Sequence, residues 1–117
     1  MAQKILIVDD DPNIVTYLED IFQDAGYATC KATDGADALN VVRQEKPALI
    51  TLDLEMPKEW GPRFYRELTQ DTEHKNIPVI VISGLAGNKY AIPKAVASFT
   101  KPFDREELLK VVKDVLG

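Results

Sequence analysis

The chain is short of the residues that carry several common chemistries. Its 117 residues include one cysteine, one histidine and one tryptophan. A lone Cys30 closes no internal disulfide, so cysteine usage implies no oxidising compartment, and in its apolar setting the residue reads as a small hydrophobe. The single His74 lies in a polar segment with no ligand neighbours and is not a catalytic candidate. Positive charge is also scarce: Lys and Arg total 14 against 19 Asp and Glu, a net charge of −5. A general nucleic-acid binder would need a basic face to neutralise phosphates, and an anionic membrane would need the same. No apolar run approaches the ~20 residues of a membrane span, and the run of Ile5, Leu6, Ile7 and Val8 is too short for a secretory signal core. Internal repeats, linkers and low-complexity stretches are absent. What remains is 45% apolar content, enough for a real core, in a length near the modal domain size. The expectation is one acidic domain over residues 1–117, with no binding to nucleic acid or membrane.

The hydrophobic period changes repeatedly along the chain. Lys4–Val8 is a continuous apolar run, the pattern of a strand buried on both faces of a sheet. Asp11 and Pro12 read as N-cap and first helical residue, and Ile14, Val15, Leu18, Ile21, Phe22 and Ala25 form one helix face closed by Gly26. A short strand is expected over residues 27–31. Asp34 to Asp37 has N-cap character, and Ala38, Leu39, Val41 and Val42 mark a second helix ending before Pro47. Residues 48–52 are another buried strand. Gly61-Pro62 opens a third helix carrying Phe64, Tyr65 and Leu68. Residues 78–83 are the clearest buried strand and 98–101 a last short one. Asp104 caps a closing helix that buries Leu108, Leu109, Val111, Val112, Val115 and Leu116. Alternating strands and helices with continuous strand hydrophobicity predict a doubly wound α/β fold, a parallel sheet with helices on both faces. Sites in such sheets form outside the carboxyl ends of the strands.

Those ends carry Asp9-Asp10-Asp11, Asp53, Ser83 and Lys101-Pro102. Each alone has a plain reading: Asp11 as an N-cap, Asp9 and Asp10 as solvated turn acids, Ser83 as a loop cap, Lys101 as a neutraliser of Asp53. Their convergence on one rim is the functional signal. Two like charges ~4 Å apart repel by about 4 kcal/mol at an effective dielectric of 20, a cost with little structural reason unless a cation binds there. Oxygen donors without His or Cys select a hard ion, Mg²⁺ before Zn²⁺. A carboxylate, a hard dication, a hydroxyl and a fixed ammonium form the set needed for phosphoryl transfer onto an aspartate.

In this setting Ile5-Leu-Ile-Val-Asp9-Asp10-Asp11-Pro12, Leu52-Asp53-Leu-Glu-Met56-Pro57, Val-Ile-Ser83-Gly84 and Thr100-Lys101-Pro102-Phe103 resemble the signatures of response-regulator receiver domains, in order and over essentially the whole chain. The resemblance implies a five-stranded flavodoxin-like sheet of order 2-1-3-4-5. It implies Asp53 as phosphoacceptor, Mg²⁺ organised by Asp9, Asp10, Asp53 and the backbone carbonyl of Glu55, and Ser83 and Lys101 as ligands of the phosphoryl group. It further implies a cis Lys101-Pro102 bond, and Gly84 as the small residue that leaves the pocket open. The implied donor is a sensor histidine kinase or a histidine phosphotransfer protein. The implied output is conformational signalling to an unknown downstream protein, in the cytoplasm, by a domain that catalyses its own phosphorylation and dephosphorylation and is not otherwise an enzyme.

Three departures from the family pattern stand out. The usual aromatic switch position holds Ser98, and the adjacent Phe99 faces the other side of the strand. The stretch from Ser83 to Lys101 is about one helical turn short and contains Gly84, Gly87 and Pro93, so the fourth helix is expected to be shortened or irregular. Glu55 sits two residues after Asp53, where reaching a metal-bound water and simple solvation are both open readings. In the loop Lys58-Glu59-Trp60, packing of Trp60 over the loop is preferred to a partner contact. Two other functions compete: an aspartyl phosphatase of the haloacid-dehalogenase kind, for which Glu55 stands where the second Asp belongs, and a receiver-like module that is never phosphorylated. No output domain is expected within the chain.

Overall fold

The computed structural model describes residues 3–84 and 95–117. Its strands are β1 (Lys4–Val8), β2 (Ala28–Ala32), β3 (Leu49–Leu52), β4 (Val79–Ser83) and β5 (Ala97–Thr100). They form one parallel sheet of order β2-β1-β3-β4-β5. Among the described residues the helices are α1 (Pro12–Asp24), α2 (Ala38–Glu45), α3 (Trp60–Thr69) and α4 (Arg105–Leu116). This is the flavodoxin-like arrangement. The expected short or irregular helix with Gly87 and Pro93 lies outside the described residues.

The pleat divides the core into two layers. Ile5, Ile7, Leu49, Ile80 and Ile82 point to one face, where Val15, Leu18, Ile21 and Phe22 of α1 and Leu108 and Val112 of α4 cover them. Leu6, Val8, Ile50, Leu52, Val79 and Val81 point to the other, against Ala38 and Val42 of α2 and Phe64 and Leu68 of α3. Continuous apolar strands are thus explained by helices on both sides, since alternate residues each meet their own layer. Among the described residues one polar side chain interrupts the first layer. Thr51 is 1% exposed and its Oγ1 finds no hydrogen-bond partner among the described residues.

Local chemistry sets most of the helix ends. Asp11 accepts from the Asn13 amide at 2.9 Å with Pro12 opening α1, and Asp104 accepts from the Glu106 and Glu107 amides at 2.8 and 3.3 Å. Gly26, just beyond α1, takes φ +95°. At α2 the capping role divides. Asp37 holds the N-cap position without a side-chain bond, while Asp34 Oδ1 accepts from the Ala36 amide at 2.9 Å one turn earlier. Lys46 ends α2 in the left-handed region, φ 48° and ψ 59°, before Pro47. Helix α3 begins at Trp60, after a 3₁₀ turn over Pro57–Glu59, rather than at Gly61.

Candidate functional site

Sheet register brings the sequence-predicted residues together. Val8, Leu52 and Val81 lie abreast on β1, β3 and β4, and Ser83 pairs with Thr100. The ladder continues one residue past the strand ends: the Asp53 amide donates to the Val8 carbonyl at 2.9 Å, and the Lys101 amide to the Ser83 carbonyl at 2.9 Å. Asp9, Asp53, Ser83 and Lys101 therefore start from fixed backbone on one rim.

Asp9 and Asp53 are 2% and 3% exposed, Ser83 is fully buried, and Asp10 is open to solvent. One carboxylate oxygen from each of Asp9, Asp10 and Asp53 lies within 4.8 Å of the others. At that spacing a pair of charges repels by about 3–4 kcal/mol at an effective dielectric of 20. Lys101 offsets part of this. Its Nζ donates to Asp9 Oδ2 at 2.9 Å and stands 3.7 Å from Asp53 Oδ2. The reading of Lys101 as a neutraliser of Asp53 alone is therefore corrected, because the shorter bond goes to Asp9. The remaining oxygens are held by backbone: Asp9 Oδ1 accepts from the Asp11 amide at 2.9 Å, and Asp53 Oδ1 from the Glu55 amide at 3.0 Å.

The electrostatics follow from this packing. Burial pushes the Asp9 carboxyl above its usual range, prevailing over the Asp11 amide and Lys101, while the Asp53 charge adds to the rise. Burial works against the Lys101 ammonium as well, but the Asp9 hydrogen bond and the charges of Asp53, Asp9 and Glu55 outweigh it and raise its pKa. The Lys101-Pro102 bond is cis. Glu55 is exposed, and a Cβ built on Gly84 would meet its Oε1 at 2.6 Å, so the carboxylate rests against the bare Cα of Gly84. That contact is invisible in the sequence.

The donor set fits a hard cation. It offers oxygen ligands only, two of the three carboxylates are buried, and among the described residues the Lys101 ammonium compensates them. Among the described residues no other group of three His, Cys, Asp or Glu side chains converges in this way. Beside Asp10 opens a cleft of about 450 Å³ walled by Thr33, Asp34, Met56, Lys58 and Trp60. Trp60 is partly buried against the α2–α3 layer, with its ring 4.0 Å from the Arg63 guanidinium and its Cβ where a side chain on Gly35 would have to go. This is the packing role expected of it.

Elsewhere the outcome is mixed. Ser98 is exposed while Phe99 packs with the α1–α4 layer, so the two face opposite ways as expected. Cys30 packs against the other layer, where burial pushes its thiol up to about 11 and leaves it inert. His74, in the polar turn after α3, is only 8% exposed, with Nδ1 3.1 Å from Asp71 Oδ2. Arg43 of α2 reaches the same oxygen at 3.2 Å, and His74 first, with Arg43, holds the Asp71 carboxyl below its usual range. The only sequence hint was the Asp-x-x-His spacing. No helix among the described residues is long and apolar enough to cross a membrane.

Comparison with known proteins places these observations. The family described as response regulator receiver domain matches residues 5–113. Protein Rrf1 of Nitratidesulfovibrio vulgaris is 40% identical over 117 residues, covering 100% of this chain and 85% of that protein. Sporulation initiation phosphotransferase F of Bacillus subtilis is 36% identical, over 99% of this chain and 95% of its own. Among solved structures, the response regulator TrrA of Thermotoga maritima in complex with Mg²⁺-BeF superposes with a TM-score of 0.86 at 29% identity, over 97% of this chain and 98% of that one.

Proposed function

This chain belongs to the response-regulator receiver family and is a phospho-accepting signalling domain; from that premise we propose that Asp53 is the residue that accepts the phosphoryl group. The observation that carries the assignment is the packing of Asp53 within 4.8 Å of Asp9 and Asp10, with Lys101 3.7 Å from its Oδ2. Of the three carboxylates, Asp53 combines burial with the central position just past β3, between the acids that follow β1 and the Ser83 and Lys101 ends of β4 and β5.

Asp9, Asp10, Asp53 and the backbone carbonyl of Glu55 would hold Mg²⁺. When bound, the ion supplies charge neutralisation for the incoming phosphoryl oxygens and for the carboxylates themselves. The chain's own groups do the rest. The Glu55 amide holds Asp53 Oδ1 and so fixes the carboxylate plane. An Asp53 oxygen forms the new O–P bond as the P–N bond of a phosphohistidine breaks, its electron pair staying on the imidazole nitrogen. Lys101 and the Ser83 hydroxyl stabilise the transferred oxygens, as a point charge and a hydrogen-bond donor. The donor is a sensor histidine kinase or histidine phosphotransfer protein. Residues 1–117 act as one receiver domain in the cytoplasm, signalling to a downstream protein and losing the phosphoryl group by hydrolysis at the same site.

Intact mass after incubation with Mg²⁺ and a small phosphodonor tests this. The expected result is a gain of one phosphoryl group that Asp53→Asn abolishes. Uptake that survives the substitution would assign the acceptor elsewhere.

A further inference from the structure

The cleft beside Asp10 has no part in the phosphoryl chemistry described above. Its volume of about 450 Å³ is room for a small ligand or one long side chain. The floor is apolar: Met56 is 6% exposed, and Pro57 and Trp60 adjoin it. One wall is the turn after β2, where Thr33, Asp34 and Ala36 are exposed. Close packing keeps the floor in place. The bare Cα of Gly35 lies against Trp60 Cβ, where any side chain would collide, and the Arg63 guanidinium covers the indole ring.

Charge selects the occupant. Asp10 belongs both to the cleft and to the carboxylate cluster. In the metal-free protein Asp9, Asp10 and Asp53 are offset by Lys101, which leaves two negative charges on the rim beside the cleft. Asp34 adds one more, and Lys58 cancels it. An apolar floor under a negative rim fits a cation carried on an aliphatic stem. The chain's net charge of −5 favours a basic partner in the same sense. Asp10, Asp34 and Lys58 are all exposed, so the cleft is open along one side. A free ligand would leave much of its surface in water there, whereas a side chain needs that opening to reach its own backbone.

We propose that this cleft receives a lysine or arginine side chain of a protein partner, which thereby recognises the metal-free form of the domain. This rests on Mg²⁺ being held at the site that contains Asp10. The ion brings two positive charges to the rim and cancels the field that attracts the side chain. The two therefore bind antagonistically, and by linkage each weakens the other by the same factor. A partner bound in this way withholds Mg²⁺ from the carboxylates.

Nα-acetylarginine amide stands in for the partner's side chain, and Nα-acetylcitrulline amide is its neutral isostere. Each is titrated into the whole chain in chelator, read by amide and indole N–H NMR shifts and by the fluorescence of Trp60, the one tryptophan. The arginine probe is expected to shift Asp34, Gly35 and the Trp60 indole saturably, and to bind at least about fivefold more tightly than the citrulline probe. Saturating Mg²⁺ should weaken it by about fivefold or more. Asp34→Asn keeps the oxygen that accepts from the Ala36 amide but removes the charge, and should weaken the probe about two- to fivefold. Lys58→Gln should strengthen it by about the same factor. Both substitutions are at exposed positions, where the fold is not at stake. Equal binding of the two probes, shifts confined to other parts of the chain, or a change of the wrong sign in either variant would overturn the proposal. So would n-propylguanidinium binding more tightly than the acetylarginine amide, which would assign the cleft to a free amine. Mg²⁺ titrated alone separates the two readings. If the ion is not held at Asp10, the Asp10 amide does not respond to it. If Asp10 responds but the arginine probe binds equally well with and without Mg²⁺, recognition of the metal-free form is wrong and the metal site stands.

Discussion

Replacing Lys101 by Met isolates the charge balance of the acidic rim. The ammonium is 22% exposed and its partner Asp9 only 2%, at 2.9 Å. Removing one member of a buried pair costs about 3–5 kcal/mol, because the other charge is left without compensation. Water reaches the ammonium side, and Met keeps the packing of the aliphatic stem, so about 2–3 kcal/mol is the expected loss in metal-free protein. With an unfolding entropy of about 0.25 kcal/mol/K for a chain of 117 residues, that is a fall in Tm of about 8–12 °C. Two modulations follow. Lys101 is one of the groups that lower the Asp9 pKa against burial, so its loss raises that pKa further above 3.8. An acid whose folded pKa exceeds its unfolded value loses stability as pH rises from the unfolded pKa through the folded one. The deficit of Lys101→Met should accordingly be smaller near pH 5 than near pH 8. Cation binding at Asp9, Asp10 and Asp53 would supply the missing positive charge, so about 10 mM Mg²⁺ should at least halve the deficit. Thermal unfolding of both proteins in chelator and in Mg²⁺, across that pH range, measures each quantity. A deficit that changes with neither Mg²⁺ nor pH would refute the claim that Lys101 offsets the repulsion among these carboxylates.

Thr51→Val should raise stability by about 1 kcal/mol, or about 4 °C, since it removes a buried hydroxyl that lacks a partner while keeping a β-branched shape; a loss in thermal unfolding would mean that the hydroxyl is satisfied. Lys46→Gly should gain about 0.5–1 kcal/mol at the left-handed end of α2, and denaturant melts showing no gain would place that residue outside the left-handed region in solution. The Asp71 carboxyl, held low by His74 and Arg43, contributes stability that is present above 3.8 and lost as pH falls through its folded pKa. Asp71→Asn should therefore flatten the acid limb of the stability–pH curve, and an unchanged limb would show that the cluster does not couple to folding.

Much of the architecture was written in local patterns. Continuous apolar runs at Lys4–Val8 and Val79–Ser83 require two helical layers, and Asp11, Gly26 and Asp104 sit at helix ends because their preferences act within a few residues. The site residues were legible for the same reason, since each follows a strand and parallel strands bring their carboxyl ends to one rim. Which side chain meets which was decided by tertiary structure. Lys101 and Asp9 are 92 positions apart, and only the ladder β1-β3-β4-β5 sets the ammonium nearer Asp9 than Asp53. The meeting of Arg43 and His74 on Asp71 depends on α2 approaching the turn after α3, and no periodicity announces it. Glu55 comes to rest on Gly84 because β3 and β4 are neighbours in a register that sets Leu52 beside Val81, a contact that neither residue's own surroundings in the chain could specify. Periodicity and capping act through backbone conformation over one or two turns, whereas charge pairs and close approaches are set by distances that exist only once the strands are in register.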